Sequence, residues 1–246
     1  MSNKGILIAA MGLPSVGKSS VIKELGKLLG CKTFLEPEES YWGQAIRERN
    51  KNINHQSNFF TGNMFFRSMR VPYYFEAERM IENGHMVLFD TFYDKLTHLY
   101  LHDEKNFDWL FDYSNGYFNC LKSIAKLDYE TLPDADYMIF IDIEEEDWKK
   151  FLLRRGRDLD KNDSFLKSFD GKETIKKAIY MYQRDLLSKG KKVEIIEAKQ
   201  RYDSANTIAL EIFCKLYRKH EKIKSYLTEN KKINFDVDDY CSKNNL

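Results

Sequence analysis

Most of the chemistry legible in this sequence is held by eight consecutive residues. Gly12-Leu-Pro-Ser-Val-Gly-Lys-Ser19 is a complete G-x-x-x-x-G-K-[ST] pattern. Glycine at 12 and 17 lets the backbone turn tightly and approach an anion with no side chain in the way. The N–H groups at the start of a following helix then point at that anion. Lys18 is the cation expected on the outer phosphates and Ser19 the hydroxyl expected on a metal, so the pattern predicts an ATP or GTP site. The expected contacts are Gly12, Pro14, Ser15, Val16, Gly17, Lys18, Ser19 and Ser20.

A second cluster stands far along the chain. Phe151-Leu-Leu-Arg154-Arg155-Gly156-Arg157-Asp158 places three arginines around one glycine at the end of a helical pattern. Planar guanidinium groups suit phosphate oxygens better than ammonium groups do. A plain alternative is a solvated helix end whose positive charge complements the dipole. Glu36, Asp90 and Asp142 each close an apolar run and are the carboxylates available beside the loop. Asp142 reads equally as a magnesium support acting through water and as a turn cap. A switch GTPase is disfavoured, because Asp90 is followed by Thr-Phe-Tyr rather than x-x-Gly, and Lys161-Asn-Asp163 is no N-K-x-D. His98 and His102 share a helix face but lack the H-E-x-x-H pattern, so a zinc site there is not expected.

Positioning these groups requires strands that end where the loops begin. Gly5–Met11 reads as a buried strand and 19–29 as a helix, with short strands at 31–36, 86–90, 137–142 and 192–197. Helices are expected at 40–49, at 58–83 with a bend at Pro72, at 147–155, at 173–188 and at 204–217. Strands alternating with helices predict an α/β fold with a parallel sheet covered on both faces and ligands at the carboxyl ends of the strands. The loop, Glu36, Asp90 and Asp142 all fall at such ends. Residues 1–229 read as one domain, with a lid segment at about 151–170, and 230–246 as a polar, frayed tail.

Composition narrows the partners. With 39 basic and 38 acidic residues among 246, the net charge of +1 predicts neither a nucleic-acid nor a membrane partner. The seven-residue apolar run near the start is too short for the core of a signal peptide. Cys31, Cys120, Cys214 and Cys241 lack paired spacing and read as reduced thiols, so a cytoplasmic protein is expected.

Taken in order, the phosphate loop, Leu35-Glu36-Pro37, the strand ending at Asp90, Arg154-Arg-Gly-Arg157 and Ile195-Ile-Glu-Ala-Lys-Gln200 resemble thymidylate kinases and deoxynucleoside kinases over residues 4–217. The resemblance implies a three-layer P-loop kinase fold with a five-stranded parallel sheet in the order 2-3-1-4-5. It implies ATP and Mg²⁺, with Ser19 and Asp90 at the metal, Lys18, Arg155 and Arg157 on the transferring group, and Arg154, Lys199 and Gln200 on the donor nucleotide. Glu36 inherits the role of base on a 5′-hydroxyl, with Asp90 also near the acceptor. Phe60, Asn63, Arg67, Arg70 and Trp42 fall where the acceptor is held.

Glu36-Pro37 followed by Gly43-Gln-Ala-Ile-Arg47 is similar to thymidylate kinases, while Glu36-Pro37-Glu38 and Trp42 imitate the deoxynucleoside kinases. Both subfamilies place an arginine after the acid of the third strand, where this chain has Thr91. The second reads the base with a glutamine, where this chain has Phe60. The function expected is ATP-dependent phosphorylation of a nucleoside monophosphate, with Arg67 or Arg70 replacing the missing guanidinium. The alternatives are a deoxynucleoside kinase, a nucleotide-binding protein without activity, and a kinase of a non-nucleotide metabolite. A small-molecule acceptor is the expected partner, with a homodimer left open.

Overall fold

The computed structural model describes residues 4–36, 56–93, 95–102, 104–108, 112–155, 166–167, 169, 173–201, 204–230 and 237–243. Five parallel strands form one sheet: β1 Ile6–Gly12, β2 Lys32–Phe34, β3 Met86–Phe89, β4 Tyr137–Ile143 and β5 Glu194–Gln200. Their order is β2-β3-β1-β4-β5, with helices on both faces, as the resemblance implies. β1 lies between β3, where Ile6 pairs with Met86, and β4, where Gly12 pairs with Ile141. All seven of its residues are buried, as a central strand covered on both faces demands.

The helices are α1 Lys18–Leu29, α2 Gln56–Glu82, α3 Glu104–Phe107, α4 Gly116–Thr131, α5 Glu145–Arg155, α6 Glu173–Ser188, α7 Ala205–Lys219, α8 Glu221–Glu229 and α9 Val237–Lys243. A π-helical turn, Lys95–Tyr100, follows β3. α1 packs on α7, α2 packs on β3 and α4, and α6 packs on β1 and the π-helical turn. α2 runs through Pro72, which stands on its exposed side. None of the described helices is long and apolar enough to cross a membrane.

Several expectations are corrected. α4 was not expected, although Asn115 caps its start by accepting from the Tyr117 N–H at 2.9 Å. Its buried stripe of Phe118, Leu121 and Ala125 recurs at helical spacing. β5 runs three residues beyond the expected end, because Ala198, Lys199 and Gln200 pair with Ile141, Asp142 and Ile143. Part of the expected tail is helical: α9 lies on α7, with Val237 and Cys241 buried. Cys214 and Cys241 are joined in a disulfide, so the reading of four reduced thiols holds only for Cys31 and Cys120. The two half-cystines lie 27 positions apart, which spacing alone could not bring together. The helix expected at 40–49 lies outside the described residues.

Candidate functional site

The phosphate-type loop joins β1 to α1 at the carboxyl edge of the sheet. A Cβ at position 12 would stand 2.8 Å from the Ile141 carbonyl, so only glycine lets β1 pass that close to β4. Gly17 caps α1 in the left-handed region at φ 86°. Ser15 is left-handed too, at φ 67°, the only described non-glycine residue with positive φ. Strain of this kind persists where the surroundings over-determine it. The Lys18 ammonium donates to the carbonyls of Gly12 at 3.2 Å and Leu13 at 2.9 Å, folding the side chain back across the loop.

Asp90, at the end of β3, is 2% exposed and binds two neighbouring elements. It accepts from the Ser19 hydroxyl at 2.7 Å and from the Glu36 N–H at 3.0 and 3.1 Å. The start of α1 and the ends of β2 and β3 thus converge on one carboxylate. The Arg70 guanidinium donates to the Glu36 carboxylate from α2. Glu36, Arg70, Tyr73, Asp90 and Thr91 line a small open pocket together with Phe34, Tyr74 and Phe89. Thr91 is buried and stands where an arginine was expected by resemblance.

α2 builds the facing wall because one stripe changes character along its length. Ile81, Ala77 and Tyr74 enter the core, and further toward the helix start the same stripe carries Arg70, Arg67, Asn63 and Phe60. Phe60 packs on Tyr117, with ring centroids 5.4 Å apart. Arg67 is held by Asp128 of α4, which accepts from its Nε and an Nη, each at 2.7 Å. The Tyr93 hydroxyl donates to the same carboxylate at 2.6 Å. Burial, and then the bond to Asp128, push the Tyr93 hydroxyl well above its ordinary range. The same carboxylate, through its hydrogen bond, raises Arg67. Arg67 is therefore committed to a bidentate ion pair rather than standing beside Arg70 as a matched phosphate clamp.

The structure brings together Lys18, Ser19, Asp90, Glu36 and Arg70, and lines Phe60, Asn63 and Arg67 along the adjoining wall. Arg154 and Arg155 end α5, Arg154 exposed and Arg155 half-buried. Lys199 pairs with Glu144. Gln200 is 4% exposed, with its amide against the Val16 carbonyl beneath the loop. Arg157 and Trp42 lie outside the described residues. His98 bonds the neighbouring Thr97 hydroxyl and packs on Tyr129 and Tyr182. Asp128 and Trp148 were missed. The signal for Asp128 was a carboxylate on the apolar stripe of α4, a position that demands a buried partner.

No protein-family profile matches the sequence, and no curated protein matches it. Solved structures do. A deoxyadenosine kinase from M. mycoides with products dCMP and a flexible dCDP bound superimposes with a TM-score of 0.58 at 16% identity, covering 86% of this chain and 98% of that one. The M. mycoides deoxyadenosine kinase with bound dATP gives 0.58 at 15% identity over the same shares. A thymidylate kinase from Candida albicans gives 0.53 at 16% identity, covering 91% and 95%. The chain has the P-loop kinase fold. Within that fold the cluster around Asp90 stands at the carboxyl ends of the strands, where open α/β sheets place their ligands.

Proposed function

We propose that the protein transfers the γ-phosphoryl group of ATP to a small nucleoside acceptor. The observation that carries this reading is the convergence of Lys18, Ser19, Asp90, Glu36 and Arg70 around one loop and one pocket. The loop N–H groups and Lys18 would hold the donor's phosphates. Its departure from the Gly12 and Leu13 carbonyls gives Lys18 three donors for phosphate oxygens. The Ser19 hydroxyl and Asp90 carboxylate are hard oxygen donors set 2.7 Å apart, the chemistry that suits Mg²⁺. Held by those two groups, Mg²⁺ would supply positive charge to offset that developing on the phosphates.

For the acceptor, the arrangement of α2 favours a nucleoside hydroxyl over a monophosphate. A 5′-phosphate carries about two negative charges at neutral pH and needs guanidinium groups to match. Arg67 is bound to Asp128, and Arg70 stands on Glu36 beside a second carboxylate, Asp90. A neutral hydroxyl enters that setting without adding a charge. Glu36, oriented by Arg70, would accept its proton as the phosphoryl group arrives, and Phe60 would offer a face for the base. The monophosphate reading keeps one supporting observation: an anionic acceptor could take Arg70 from Glu36.

Phosphorylation of deoxynucleosides and of their monophosphates, measured in parallel in wild type, Glu36→Gln and Arg70→Ala, tests the choice. We expect turnover of a nucleoside that falls about 10²- to 10⁴-fold in Glu36→Gln. Turnover of monophosphates alone, surviving Glu36→Gln and lost in Arg70→Ala, would reverse the assignment.

A further inference from the structure

Two buried side chains, from elements distant in sequence, grip the outside of the loop. The Trp148 indole N–H donates to the Pro14 carbonyl at 2.7 Å, with the side chain 1% exposed. The Gln200 amide donates to the Val16 carbonyl at 3.4 Å, and a Cβ on Gly17 would lie 3.5 Å from the same nitrogen. Because a trans peptide is planar, its C=O and the next residue's N–H point in opposite directions. None of the described peptide bonds is cis. Holding the Pro14 carbonyl outward therefore turns the Ser15 N–H inward, and holding the Val16 carbonyl outward does the same for Gly17. The left-handed Ser15 is the residue whose backbone such a clamp would have to keep in place.

Trp148 also sits on α5, seven residues before Arg155. Seven residues are close to two turns, so the two lie on one helix face about 10 Å apart along the axis. Leu152, between them on that face, is buried. A peg at Trp148 sets both the rotation and the height of the helix that carries Arg155.

We infer that Trp148, with Gln200 as its companion, is a positioning residue that pre-forms the phosphate cradle and fixes the spacing between the cradle and Arg155. This rests on the ATP reading of the loop. The clamp acts on phosphate-binding N–H groups and not on a base or sugar, so its removal should weaken only ligands that carry phosphate.

The test measures, by calorimetry, the binding of a non-hydrolysable ATP analogue with Mg²⁺, of inorganic tripolyphosphate and of adenosine. Trp148→Phe keeps most of the ring and loses the N–H; Gln200→Leu keeps the shape and loses the amide; Lys18→Ala is the control. Each clamp variant is expected to weaken the analogue and tripolyphosphate about tenfold, the equivalent of about 1.4 kcal/mol, and to leave adenosine unchanged. Wild-type affinity in a folded Trp148→Phe, alongside lost affinity in Lys18→Ala, would overturn the clamp and leave the ATP reading standing. So would an equal loss for adenosine and analogue. Should Trp148→Phe fail to fold, Gln200→Leu decides by the same criterion. A wild type that binds none of the phosphate ligands would overturn both the reading and the clamp.

Discussion

Asp90 and Asp128 do opposite work with the same functional group. Asp90 accepts from a hydroxyl and a backbone N–H and so ties the start of α1 to the end of β2 at the edge of the loop. Asp128 accepts from Arg67 and Tyr93 and locks α2 to α4 and to the segment after β3. Replacing Asp128 with Ala should therefore reduce stability, because it removes one partner of an ion pair and orphans the Tyr93 hydroxyl. A fully buried pair would lose about 3–5 kcal/mol. Arg67 is 37% exposed, so water offsets part of that loss, and we expect about 2 kcal/mol by urea unfolding. The meeting of Ser19, Glu36 and Asp90 beside the loop was legible because their positions follow from local spacing and strand ends. The Arg67–Asp128 pair was not, since it joins positions 61 apart whose meeting depends on how two helices pack.

At the scale of elements, what the sequence made plain was governed by periodicity, and what it concealed by pairing. α6 occupies the expected 173–188 because its apolar residues recur at helical spacing. β5 runs past its expected end because Ala-Lys-Gln has little strand preference of its own and is held by β4. α5 touches the loop at Trp148 and ends in Arg154 and Arg155. If Arg155 meets the transferring group mainly in the transition state, Arg155→Ala should lower kcat more than it weakens ATP binding. Steady-state kinetics beside calorimetric ATP affinity separates the two. Loss of affinity with normal kcat would make Arg155 a ground-state contact.

For the whole molecule, the amino-terminal end of the sheet, opposite the site, carries a tyrosine that links stability to high pH. Tyr137, at the start of β4, has its hydroxyl pushed up to about 12 by burial, and further by Glu194 and Asp136. Its pKa in the folded chain thus exceeds the value of about 10 expected when unfolded. The sign follows from proton binding: the folded state holds the proton more tightly, so stability is full below about pH 10 and falls as pH rises toward 12. Tyr137→Phe should remove that share of the alkaline loss, as seen in melting temperatures from pH 8 to 12; an unchanged alkaline slope would mean that Tyr137 is not its source.

The sheet, the loop and the wall of α2 together bring Lys18, Ser19, Glu36, Arg70 and Asp90 to one end of the molecule. Catalysis there would come from positioning and charge stabilisation more than from covalent chemistry. Phosphorus-31 NMR of ATP and Mg²⁺ with a panel of nucleosides and monophosphates, in wild type and Lys18→Ala, tests this most directly. The proposed reaction predicts an acceptor-dependent phosphoester signal with ADP in wild type, slowed about 10²- to 10³-fold in Lys18→Ala. No transfer to any acceptor, or equal rates in a folded Lys18→Ala, would contradict it.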